Sequence, residues 1–390
     1  MKKVVFLSIS LILCIGGYSQ NTWLQKADFP GAARHNAVGF SIGNKAYIGT
    51  GYNGNNLKDF WEWDQTTNIW TQKADFAGGA RAYAVGFSIG QKGYISTGWN
   101  NASSIFYNDL WEYDPVLDTW TQKTSLPSNA RLDAVGFSIG AKGFIGTGAG
   151  ASVKYNDFWE WDQATDAWTQ KVNFAGDARR QAVGFSISDK GYIGTGESGG
   201  VRYKDFWEYD TLSNTWTQKA DVFSKRCDAV GFSIDNMGFV GIGTDVPLNL
   251  QDFWMYNPTT NIWTQIADFG PGKRKQGVAM SVNNNGYAGL GTGSSPYFAD
   301  FWEYTPLLTS TSSLNIDVFK VFPNPASNYI TIEGTGMERI EIFDIYGNLH
   351  FVKKDLPSNS NISIQEYPIG VYFIKVNTKK GVSIHKLIKY

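Results

Sequence analysis

Cysteine is nearly absent from this chain: 390 residues hold two, Cys14 and Cys227. Cys14 falls in a leader described below, so Cys227 stands alone and no internal disulfide can staple the fold. Histidine is as scarce, with only His35, His350 and His385. Three scattered imidazoles build no zinc or copper cluster and no Ser-His-Asp relay, so neither metal nor cofactor is expected. Charge of one sign is missing too. A formal net charge of -1 and a pI near 6.3 give no global pull toward nucleic acid or an anionic membrane. No apolar 3.6-residue period is sustained, and beyond Ile15 no apolar run is long enough to span a bilayer. The repeated Gly-Thr-Gly steps precede no helix and are not phosphate loops.

What the chain has is glycine and aromatics: 43 Gly, 15 Trp, and 15% aromatic residues against 18% charged. With turn signals every few residues, that profile reads as all-β. The organising stretch is RLDAVGFSIGAKGFIGTG, residues 131–148, because close copies of it recur six times. Its arginine returns as Arg34, Arg81, Arg131, Arg179, Arg226 and Arg274 at a spacing near 48 residues. A period of that size is the mark of a β-propeller, each repeat being one four-stranded blade.

Within a repeat, AVGFSI alternates small with bulky residues, so one sheet face is shallow and the other prominent. FIGTG or YISTG is the second strand, DFWEY the third and WTQK the fourth. The third-strand series Trp61, Trp111, Trp159, Trp207, Trp254 and Trp302 and the fourth-strand series Trp23, Trp70, Trp120, Trp168, Trp216 and Trp263 lie nine residues apart within a turn of the repeat. The array opens on a fourth strand at Trp23 and ends on a third at Trp302. The two ends are therefore expected to complete one blade between them, closing six blades and hiding their edges. From the arginine before strand one, the glycines after strand two and the motif DLWEYDPVLDTW, the array resembles kelch repeats, which implies a six-bladed propeller over residues 20–306. Kelch propellers host many functions, so the resemblance says little about activity.

Both ends carry addresses. Lys2 and Lys3, the apolar run Val4 to Ile15 and then Gly17-Tyr18-Ser19 read as a signal peptide over residues 1–19; Leu13 is too large for a lipidation signal at Cys14. LLTSTSSLNI, residues 307–316, breaks the pattern as a linker. Residues 317–390 are short alternating strands with Pro and Gly turns, a small β-sandwich by pattern. Phe322-Pro323-Asn324-Pro325, Tyr346-Gly347 and Gly370-Val371-Tyr372 resemble the C-terminal sorting domain of type IX secretion in Bacteroidetes. That resemblance implies handling by the secretion machinery and a secreted or outer cell-surface protein. A monomer is expected.

Antiparallel meanders place the start of strand one and the end of strand two on one rim. The six arginines and the six loops between strands two and three therefore share a face. Those loops diverge, from YNGNNLK to WNNASSIFYN, and so do the two residues after each arginine: His35-Asn36, Ala82-Tyr83, Leu132-Asp133, Arg180-Gln181, Cys227-Asp228 and Lys275-Gln276. Variation on a fixed frame is where binding resides. The expectation is an asymmetric polar funnel at the channel mouth, taking a glycan or protein ligand through the six arginines with Tyr83, Asp133, Arg180, Asp228 and Trp99, and rimmed by Tyr52, Phe106, Tyr107, Tyr155, Tyr203 and Tyr297. Each repeat also carries Asp59, Asp109, Asp157, Asp205, Asp252 or Asp300, so the arginines fit structural ion pairs equally well. Two alternatives stand beside ligand binding: a sugar-modifying enzyme resembling the sialate epimerase, whose acidic sugar would suit an arginine-lined funnel, and a structural adhesion component.

Overall fold

A computed structural model describes residues 21–293, 297–306, 319–334, 336–344, 348–354, 357–378 and 381–390. The leader, the linker and Tyr346-Gly347 lie outside these. Two compact units divide at Leu307. The described residues contain strands and no α-helix.

The first unit is a six-bladed propeller of four-stranded antiparallel sheets. Blade one runs Val38–Ile42, Lys45–Gly49, Phe60–Asp64 and Ile69–Lys73; blades two to five repeat it in chain order. Blade six combines Val278–Val282, Asn285–Gly289 and Phe301–Thr305 with the N-terminal strand Thr22–Gln25, which pairs Trp23 with Tyr304 and Gln25 with Trp302. The second strand begins earlier than the pattern suggested, at the turn lysine, and stops before Thr-Gly. Its ending is enforced by backbone: Thr50, Thr97, Thr147, Thr195, Ile242 and Leu290 take φ of 46–61°, and the glycine after each is also left-handed, which turns the chain off the sheet.

Blades pack by the alternation in AVGFSI. Val38, Phe40 and Ile42 of blade one are buried against Ile95 and Tyr113 of blade two. A Cβ placed on Gly93 of blade two would lie 2.2 Å from the Phe40 ring, and one on Gly86 would lie 2.1 Å from Val38. The glycine is the socket for its neighbour's ring. Gly93→Val is accordingly expected to cost roughly 1–3 kcal/mol through overpacking, read as a lower denaturation midpoint; an unchanged midpoint would show the Phe40 ring has room to move.

Each fourth-strand tryptophan fastens its blade to the one before. Trp70 Nε1 donates to the Ala27 carbonyl at 2.9 Å, Trp120 to Ala74 at 3.2 Å, Trp263 to Ala220 at 2.9 Å and Trp23 to Ala267 at 3.1 Å. The second unit is a sandwich of a three-stranded sheet (Lys320–Phe322, Tyr329–Glu333, Asn359–Ser363) and a four-stranded sheet (Leu349–Lys354, Arg339–Asp344, Gly370–Thr378, Gly381–Lys389). Ile330, Ile332, Ile340, Ile342, Ile374 and Leu387 fill its core. No helix among the described residues is long and apolar enough to cross a membrane.

Candidate functional site

Two circles of backbone hydrogen bonds build the channel mouth. In one, the amide two residues after each arginine donates to its counterpart in the preceding blade: Tyr83 to Asn36, Asp133 to Tyr83, Gln181 to Asp133, Asp228 to Gln181, Gln276 to Asp228, and Asn36 back to Gln276, all within 2.9–3.2 Å. In the other, the glycine after strand two donates to the next blade's arginine carbonyl at 2.8 Å, ending with Gly291 to Arg34. The ring closes on itself through both.

The first circle is made by residues in left-handed backbone, with φ between 51° and 60° at Asn36, Tyr83, Asp133, Gln181, Asp228 and Gln276. Asn and Asp visit that region readily, whereas Tyr and Gln occupy it at some cost. The kink has a directional consequence. These six side chains line a cavity of about 540 Å³, its open mouth included, with the small residue after each forming the wall below. The residue one earlier turns outward and pairs with the loop, as His35 does with Tyr52, Ala82 with Trp99, Arg180 with Glu197 and Cys227 with Thr244. Of the twelve variable positions expected around the funnel, six line it and six do not.

Arg180 is among those turned away, and its Nε is bonded to Glu197. Cys227 is 2% exposed, and burial pushes its thiol up to about 11. His35 is buried against Tyr297, Tyr52 and Tyr83, at ring distances of 5.0, 5.6 and 6.3 Å, and burial followed by the Lys275 charge lowers its pKa. Trp99 is half-buried in a two-residue hairpin, 6.3 Å from the Tyr83 ring. Tyr83, Asp133 and Asp228 are thus gathered at one opening, with Trp99 outside the lining, against the Tyr83 ring.

The six arginines stand behind the wall. Arg34, Arg81, Arg131, Arg179 and Arg226 are 0% exposed and Arg274 is 1% exposed. Each makes a two-pronged pair with the aspartate before strand three; for Arg131 and Asp157 the two bonds are 2.6 and 2.8 Å. A third bond goes to the carbonyl ending strand two, such as Thr147 at 2.8 Å, and the same aspartate accepts the third-strand indole N–H, from Trp159 at 2.8 Å. Burial would raise Asp157, but Arg131 outweighs it and holds the carboxyl below its ordinary range. Tyr107, Tyr155 and Tyr203, expected as rim residues, cover Arg81, Arg131 and Arg179 at 3.7, 4.4 and 4.0 Å instead. The arrangement is the ion-pair alternative: each guanidinium is engaged by its aspartate and none lines the cavity.

Electrostatically the mouth is acidic. Burial raises the Asp133 carboxyl well above its ordinary value, and the charge on Asp228 adds to that. Asp228 is raised to about 6 by burial, opposed by Lys275, a bond from Gln276 and Arg180. Tyr83 rises to about 12 for want of solvent, then from Asp133 and Asp228.

Residues 320–390 match the secretion system C-terminal sorting domain. The protein is exported. Its tail directs it through the type IX machinery to the medium or the outer cell surface. No curated protein sequence matches the chain. Among solved structures, that of YjhT superposes with a TM-score of 0.63 at 17% identity, over 71% of this chain and 95% of that one. At that identity the likeness speaks for the propeller fold alone.

Asn36, Gln181 and Gln276 complete the lining, and sequence reasoning had not separated them from the outward-turning neighbours. The separating signal is structural: the bridge between the residue after each arginine and its loop fixes which of the pair points inward.

Proposed function

We propose that this exported kelch-type propeller binds a glycan at the channel mouth. One observation carries the reading: on a frame repeated six times, the cavity is lined by three amides, two carboxylates and one phenol in an order with no symmetry. Amides and carboxylates at fixed positions suit vicinal hydroxyls, and the Tyr83 ring suits the flat apolar side of a sugar ring. A protein partner would call for a broad surface rather than a cavity of about 540 Å³. An acidic sugar fits less well. The sialate-epimerase alternative leaned on arginines facing the funnel, and a sialate carboxylate here would meet Asp133 and Asp228.

A glycan array probed with the purified protein tests this. Tyr83→Asn keeps a residue that tolerates left-handed backbone, so it is expected to melt like the parent while weakening the bound glycan at least about tenfold, the size of a lost aromatic contact. If the array stays blank, or Tyr83→Asn binds as tightly as the parent, the mouth is not a glycan site and the adhesion alternative gains.

A further inference from the structure

We infer that the glycan is basic: the mouth takes the protonated amine of an amino sugar between Asp133 and Asp228. The inference rests on the glycan reading and adds the charge of the ligand. Of the six side chains lining the cavity, two are acidic and none is basic. The basic groups nearby stand outside the lining, and their charges still reach it: Arg180 acts on Asp133 and Asp228, and Lys275 on Asp228. Arg180 bonds Glu197, which Lys154 also attracts; Arg202 faces Cys227; Lys275 sits on the outward-turning position, where it acts on Asp228 and His35.

The decisive contrast is in how the carboxylates are partnered. Each aspartate that meets a propeller arginine accepts two bonds from it and one from an indole. Asp133 makes no side-chain hydrogen bond and no salt bridge with any described residue, and Asp228 has a single bond, from Gln276 at 3.3 Å. Both amides are locked into the backbone circle, which fixes the direction of each half-buried side chain toward the cavity. A half-buried carboxylate with no cation bonded to it works against folding at neutral pH. Two such groups around one cavity, with the Tyr83 ring in the same lining, make a receptor for a cation with an apolar skirt. A sugar ammonium has both features, and its neighbouring hydroxyls meet Asn36, Gln181 and Gln276.

The test compares three tetramers of one backbone geometry, measured by calorimetry at about neutral pH in chelator: glucosamine, N-acetylglucosamine and cellotetraose. Glucosamine tetramer is expected to bind at least about tenfold tighter than either neutral one, the increment of one charge-assisted contact. Asp133→Asn should cut that preference to within about twofold while raising the melting temperature, since it removes an unpaired charge. Lowering the pH through about 6 protonates Asp228 and should weaken glucosamine binding, although the sugar itself then carries more charge. Equal binding of all three overturns the charge assignment and leaves the glycan site standing. Binding of none by a folded protein overturns both. A preference that survives Asp133→Asn and Asp228→Asn together would place the amine somewhere else.

Discussion

Arg131→Ala is expected to lower the melting temperature of the propeller by about 10 °C, corresponding to a loss of about 3–5 kcal/mol for breaking a buried pair from one side. The guanidinium is fully buried, and its removal strands Asp157 with only Ser128 and Trp159 as donors. It also frees the Thr147 carbonyl at the left-handed step that ends strand two. Arg131→Lys should recover little, because one ammonium cannot span both carboxylate oxygens and that carbonyl. Calorimetric melting reads the effect, and a shift within a couple of degrees would contradict the structural role. The pH dependence has a definite sign. Asp59 and Asp157 are held below the ordinary carboxylate range by Arg34 and Arg131, against burial that alone would raise them. Their contribution is full at neutral pH and drains away as the pH drops through that lowered range.

Trp23→Ala is expected to be comparably damaging, at about 3–5 kcal/mol, the usual cost of truncating a packed aromatic. Its ring lies 4.8 Å from both Phe253 and Phe269 and 5.3 Å from Tyr304, and its N–H ties blade six to the Ala267 carbonyl of blade five. Deleting residues 21–25 goes further. The edge of Phe301–Thr305 loses its only outer partner, and an unpaired edge beside exposed aromatics invites association. Light scattering should report oligomers at concentrations where the parent stays dispersed. A deletion that remains dispersed and melts normally would mean the ring does not need its N-terminal strand.

Much of this fold was legible from periodicity. The six arginines, the paired tryptophans and the alternation in AVGFSI each report a local rule: a residue repeated because its environment repeats. The shallow and bulky faces of AVGFSI follow from strand alternation and meet as Gly86 against Val38, whereas the Gly93 socket for Phe40 sits in what reads as a turn. The second-strand boundary was misplaced for a local reason as well: Thr-Gly reads as strand continuation, yet both residues adopt left-handed φ once an arginine takes the threonine carbonyl.

The site was legible only in outline. Variable pairs after each arginine marked the right rim, but a pair in sequence is two opposite directions in space. A left-handed step at Asp133 sends its carboxylate to the axis and Leu132 to the loop, and the same step turns Arg180 away while presenting Gln181. The arginines stay open between ligand contact and structural ion pair in sequence by the same limit, since one cation and one anion per repeat are compatible with either use until distance and burial are known.

By itself, the sequence determined the number of blades, the strand that completes the last one, and the sorting tail, because each is written as a repeated or terminal pattern of side chains. Only the tertiary structure decided which polar residues meet a ligand. Closing the circle drives the arginines behind the wall and turns six kinked residues toward a shared axis, and no single repeat contains that axis.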